Sequence, residues 1–161
     1  MIATDQTLEN LTFTIKQEIR VQAPLEVTFA ALLEQLGPGN ETPDGKSLNL
    51  KIEPWPGGRW YRDLGDGNGH FWAHVQAIKR PTLLEFVGPI FASFPLVNNV
   101  QYRLSEVDGG TLITFKHTAL GLLTDEHKAG MPNGWNSMHE RVRRHAEAAL
   151  QQPASRSTSR K

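Results

Sequence analysis

The feature that most constrains this chain is a change of hydrophobic period near its end. As far as Thr118, apolar side chains recur mainly at every second residue, the period of strands. Beyond it Trp135, Met138, Val142, His145/Ala146 and Ala149 recur at spacings of three and four, which draws an apolar stripe along a helix. One helix cannot hide such a stripe alone. It must lie across the inner face of a curved sheet built by the preceding strands, an α+β architecture.

The strands are read from alternation and punctuation. Phe13, Ile15, Ile19 and Val21 share one face of a first strand, opposite Thr12, Thr14, Lys16, Glu18 and Arg20. Pro24 suits a first helical turn, and Val27, Phe29, Ala30, Ala31, Leu32, Leu33 and Leu36 suit a short buried helix stopped by Gly37-Pro38-Gly39. After a polar loop from Asn40 to Ser47, strands are expected at Leu48–Glu53, Arg59–Leu64, His70–Ile78, Leu83–Val87, Val97–Glu106 and Thr111–Thr118. Gly65-Asp66-Gly67-Asn68-Gly69 and Val107-Asp108-Gly109-Gly110 close hairpins, because glycine and asparagine tolerate positive φ. That gives six to seven antiparallel strands. Pro132 and Asn133 mark the expected start of the last helix, with a separate turn at Asp125–Ala129 and a split or kink at Gly130-Met131-Pro132.

Composition narrows function mainly by exclusion. A chain of 161 residues, 39% hydrophobic and 21% charged, is long enough to bury one core. Seventeen basic residues balance seventeen acidic ones, so no nucleic-acid or anionic-membrane partner is expected. The absence of cysteine removes disulfides and thiol chemistry. The start of the chain lacks a signal-peptide pattern and no apolar run reaches about 20 residues, so a cytoplasmic location and no membrane span are expected. Residues 12–151 form the expected single domain, with 1–11 as an N-terminal extension and 152–161 as a flexible tail.

Several short motifs resemble one family when taken in order. They are Pro56-Gly57-Gly58-Arg59-Trp60, the Gly69–Ile78 strand followed by Lys79-Arg80-Pro81, the Gly110–His117 strand and Gly134-Trp135. Together they resemble the Activator-of-Hsp90-ATPase (AHSA1-like) family of the START/Bet v 1 superfamily, over roughly Phe13 to Leu150. The resemblance implies a helix-grip fold, a curved antiparallel sheet around a long C-terminal helix, with a largely apolar cavity between them. It also implies that members range from co-chaperone domains to lipid, hormone or polyketide binders and a few cyclases, so fold alone does not choose a function.

Strand parity supplies candidates for the cavity wall. Trp60, Leu84, Phe86, Tyr102, Phe115, Trp135 and Met138 are expected inward, with Phe71 and Val75 chosen as the inward face of their strand and Trp72 and His74 as its outer face. His117 shares parity with Ile113 and Phe115 and is expected near Trp135, as a buried hydrogen-bonding group or, less readily, a base. Pro89–Leu96, carrying Ile90, Phe91, Phe94 and Leu96, is apolar enough for a lid or a partner patch.

Other chemistry reads poorly. Gly45-Lys46-Ser47 has Asn40 where a phosphate-binding loop needs glycine. His70 and His74 would stand ~13 Å apart on a strand, too far for one metal ion, and His139 and His145 project to different sides of a helix. No catalytic residue, cofactor or metal is therefore expected. The leading expectation is a non-catalytic domain binding a small hydrophobic or aromatic ligand. The alternatives are a module binding a chaperone-type protein partner, or a cyclase or aromatase in which Tyr102 and His117 polarise a polyketide. Exposed aromatics on the outer sheet face leave a homodimer open.

Overall fold

The computed structural model describes residues 7–90 and 93–151. The expectations made for Phe91 and for the tail 152–161, and part of the expected extension at 1–11, lie outside the described residues. A short helix, α1 (Leu8–Leu11), leads into β1 (Thr12–Val21). Then come α2 (Leu25–Leu36), β2 (Leu50–Ile52), β3 (Arg59–Gly65), β4 (Asn68–Lys79), β5 (Leu83–Gly88), β6 (Leu96–Val107), β7 (Gly110–Gly121) and α3 (Asp125–Ala149). The strands form one antiparallel sheet in the order β1-β7-β6-β5-β4-β3-β2. This is the helix-grip architecture.

Each element can be traced to local chemistry. Alternation in β1 buries Ile15 and Val21 and leaves the lysine, glutamate and arginine between them exposed. Pro24 is the cap of α2 with extended backbone, one residue earlier than a first-turn proline, and the Gly37 N–H closes the other end on the Leu33 and Glu34 carbonyls. A Cβ at Gly37 would come 2.9 Å from an Ile52 methyl, so glycine lets α2 end against β2. Asn49 has φ +52°, which delays β2 to Leu50. The β3–β4 and β6–β7 hairpins turn on Asp66-Gly67 and Asp108-Gly109, all four residues at positive φ, the two-residue geometry that matches strand twist.

α2 and the following loop carry the chain from edge strand β1 to edge strand β2. Thr111 Oγ1 donates to the Ala23 carbonyl at 2.8 Å, and Thr28 Oγ1 lies 3.3 Å from Thr111, which ties the start of α2 to β7. α3 then lies over the inner face with Trp135, Met138, His139, Val142 and Ala146 buried.

One expectation is corrected here. α3 is a single helix running through Gly130-Met131-Pro132, neither beginning at Pro132 nor preceded by a separate turn. Thr124 caps it, its hydroxyl accepting from the His127 N–H. Proline inside a helix costs about 3 kcal/mol. Burying Trp135, Met138 and Val142 returns roughly 1.5–3 kcal/mol each, and Gln17 of β1 donates to the Pro132 carbonyl at 3.1 Å. Tertiary packing thus outweighs the local break.

Candidate ligand-binding site

β4 decides which aromatics face the helix. Trp60 pairs with Ala73 and Tyr61 with Phe71, so Trp72 is an extra residue in a β-bulge. The bulge turns the strand's parity. His70 and Trp72 point inward before it, Ala73 and Val75 after it. The inward expectation for Phe71 is therefore corrected: it is 37% exposed and sits against His74 on the outer face. Trp72, expected outward, takes the inward place.

Under α3 the interior divides into two parts. The first is a closed core crossed by two hydrogen-bonded chains. The Trp135 indole N–H donates to His117 Nδ1 at 3.0 Å, which leaves the proton on Nε2 to be donated to Asn98 Oδ1 at 2.7 Å. Asn98 in turn donates to the carbonyls of Gly88 and Pro89, both at 3.1 Å. In the second chain Gln17 spends its amide N–H on Pro132, so its Oε1 accepts from His139 Nδ1 at 2.8 Å. His139 Nε2 then accepts from the Tyr102 hydroxyl at 3.0 Å. Burial holds His117 down at about 4 and His139 at about 3, and it raises Tyr102. Both imidazoles are neutral at neutral pH, with every ring nitrogen engaged by a protein partner.

The second part is a groove of about 440 Å³ between the first half of α3, the end of α2 and the inner face of β3 and β4. Trp60, Trp72, Trp135, Met131, Met138 and Leu36 form its apolar wall. Trp60 meets Trp72 edge-on at 5.0 Å and Phe86 at 4.7 Å. Each indole N–H is used inside the protein: Trp60 on the Leu36 carbonyl at 2.7 Å, Trp72 on His70 Nδ1 at 3.0 Å, and Trp135 on His117. What the three rings offer the groove is therefore carbon surface. Gly130 and Gly134 stand one turn apart on its helical wall, and a Cβ at either would meet nothing within 4 Å beyond its own stretch of helix. Glu126 and His127 lie at one end, Asn40 and Arg141 at the other.

Of the residues expected to line a cavity, Trp60, Trp135 and Met138 do so. Val75, Leu84, Phe86, Tyr102, Phe115 and His117 are fully buried behind it as core. Tyr102 and His117 are thus absent from the wall, which Trp60, Trp72 and Trp135 form. In the apolar connection Ile90 is buried, its N–H donating to the Trp72 carbonyl at 2.7 Å. Phe94 stands edge-on to His127 at 4.6 Å, at the Glu126 end of the groove, and Leu96 begins β6 half-buried. The sequence reading weighed His139 only as a metal ligand, and it passed over Gln17, Asn98 and Arg141. His139 lies four residues after Trp135 on the stripe, a spacing that would have found it.

The model for Activator of Hsp90 ATPase homolog 1-like proteins matches residues 22–147. The chain belongs to this family. An uncharacterized protein from Rhizobium leguminosarum has a similar structure at 18% identity, with a TM-score of 0.67 over 85% of this chain and 95% of that one. So does Ara h 8.0201, at 18% identity and TM-score 0.61 over 85% and 99% of the two chains. The di-domain ARO/CYC StfQ from the steffimycin biosynthetic pathway matches at 12% identity and TM-score 0.62. The match covers 88% of this chain and 51% of StfQ. At these identities the likeness is one of fold. No curated protein matches the sequence. Among the described residues no helix is long and apolar enough to cross a membrane.

Proposed function

We propose that this family member binds a small, predominantly apolar or aromatic molecule in the groove between α3 and the sheet. The observation that carries the reading is the wall of three tryptophans and two methionines around about 440 Å³, the size and polarity of a small-molecule site. The indoles are held by their own hydrogen bonds, so a ligand meets a preorganised surface and loses little side-chain entropy on binding. A cyclase role for Tyr102 and His117 finds no support in this geometry, because both are buried behind the groove and hydrogen-bonded elsewhere. The family's description favours a chaperone-type protein partner as the second reading.

Titration with N-phenyl-1-naphthylamine, an uncharged apolar fluorophore, tests the proposal. Saturable one-to-one binding is expected, and Gly134→Leu, which pushes a side chain into the groove, is expected to weaken it at least tenfold while the circular dichroism spectrum is kept. Binding unchanged by Gly134→Leu, or no saturable binding at all, would turn the reading toward a protein partner.

A further inference from the structure

The end of α2 brings to the groove one polar atom that the protein leaves unused. Asn40, just beyond that end, lines the groove and is only 8% exposed. Both its backbone and its side chain are fixed. The Asn40 N–H donates to the Gly37 carbonyl at 3.1 Å, and Nδ2 donates to the Gln35 carbonyl at 2.9 Å. The Trp60 indole N–H closes on the neighbouring Leu36 carbonyl, so one end of α2 holds both Asn40 and Trp60.

The partner at Gln35 is a carbonyl oxygen, so the amide nitrogen must face it and Oδ1 is the atom left over. No described residue donates to Oδ1. Nor is that oxygen closed off: among the described residues the one side-chain nitrogen or oxygen that is sealed from water and without a partner is Arg141 Nε. Oδ1 therefore opens toward the groove that Asn40 lines. An acceptor on a side chain so nearly buried calls for a donor, and the wall supplies none, because each of the three indole N–H groups is used inside the protein.

We infer that the ligand of the groove carries a neutral hydrogen-bond donor, a hydroxyl or an amide-type N–H, on its apolar body, and that Asn40 Oδ1 is the acceptor that selects and orients it. This rests on the proposed ligand groove and adds the class and orientation of the ligand. Oδ1 offers only lone pairs, so a methyl ether of the same body leaves it unpaired. An ammonium would satisfy Oδ1 but would meet the Arg141 guanidinium at the same end of the groove. With the donor on Asn40, the body lies against Leu36 and Trp60 and extends past Gly134 and Gly130 toward His127.

Calorimetric titration with 2-naphthol, 2-methoxynaphthalene and naphthalene reads the donor directly, because the three share one ring system. The unmodified protein is expected to bind 2-naphthol roughly three- to tenfold more tightly than its methyl ether, the scale of one net hydrogen bond. Asn40→Ala is expected to bring these two level while naphthalene binds as before, which also shows that the groove survives. Glu126→Ala, which removes the carboxylate at the other end, is expected to keep the preference. Equal or weaker binding of 2-naphthol by the unmodified protein, with naphthalene bound saturably, would overturn this inference and leave the groove standing. A preference that persists in Asn40→Ala, or disappears in Glu126→Ala, would overturn it by placing the hydroxyl elsewhere. No saturable binding of any of the three would remove the groove as a ligand site and the inference with it. The ratio of 2-naphthol to its ether is read on the unmodified protein, so the inference can fail whether or not a variant folds.

Discussion

The two sides of α3 bury their surfaces in opposite ways. Toward Tyr102, Phe115 and His117 the helix presents Trp135, His139 and Val142, and rings fill the space with centroid separations of 4.5 to 5.8 Å. Toward Leu36, Trp60 and Trp72 it presents Gly130 and Gly134 beside Met131 and Met138, and the space stays open. The closed side contains polar groups and satisfies them within the protein. The open side is apolar except at its ends. The comparison teaches that polarity and openness are decoupled here. The histidines that look chemical in the sequence are structural, and the tryptophans and glycines that look structural shape the open groove.

Acid should break the closed side first. His117 and His139 have folded pKa values of about 4 and about 3, below the ordinary 6.5, so the unfolded chain takes up their protons before the folded one does. Their stabilising balance is complete above pH 6.5 and is lost as pH falls toward 4 and 3, up to roughly 5 kcal/mol between pH 6.5 and 4.5 for the two together. Urea unfolding at a series of pH values measures this, and His139→Gln should roughly halve the slope. Glu53, held near 2 mainly by Arg59, changes its contribution only below its ordinary value of 4.5, outside that window.

Trp135 belongs to both sides, so Trp135→Ala should cost about 3–5 kcal/mol in urea unfolding and also weaken apolar probe binding. Tyr102→Phe touches only the closed side. It strands His139 Nε2 and should cost about 1–3 kcal/mol by the same measurement, with probe affinity unchanged. Weakened probe binding in Tyr102→Phe would show that the two sides are not independent. The smallest effect is expected at Gly134→Ala. Helix propensity predicts a gain of about 1 kcal/mol in stability, because the new methyl meets nothing beyond its own stretch of helix, together with a modest loss of probe affinity as it narrows the groove.

Much of the closed side was legible in the sequence. Phe115, His117 and Tyr102 lie on strands whose alternation is clean, and both two-residue turns carry residues that accept positive φ, so register and inward face follow from pattern. The groove was less legible because its walls depend on departures from pattern. The bulge at Trp72 reverses parity within β4, and no residue type announces it. Pro132 reads locally as a break, yet packing on both sides of it carries α3 through, and only the continuous helix brings Met131 and Gly130 to the groove. Arg141, three residues after Met138, falls at the edge of the stripe, where a charge reads as solvent-facing until the neighbouring Asn40–Glu41 loop is placed over it.

The claim that the groove is the binding surface is tested most directly by the four indole N–H signals in a ¹H–¹⁵N spectrum titrated with N-phenyl-1-naphthylamine. Trp60, Trp72 and Trp135 line the groove, whereas Trp55 does not and is 55% exposed. The account predicts saturable shifts of the first three with a common affinity and a stationary Trp55. Shifts confined to Trp55, or four stationary signals while the probe binds, would contradict it.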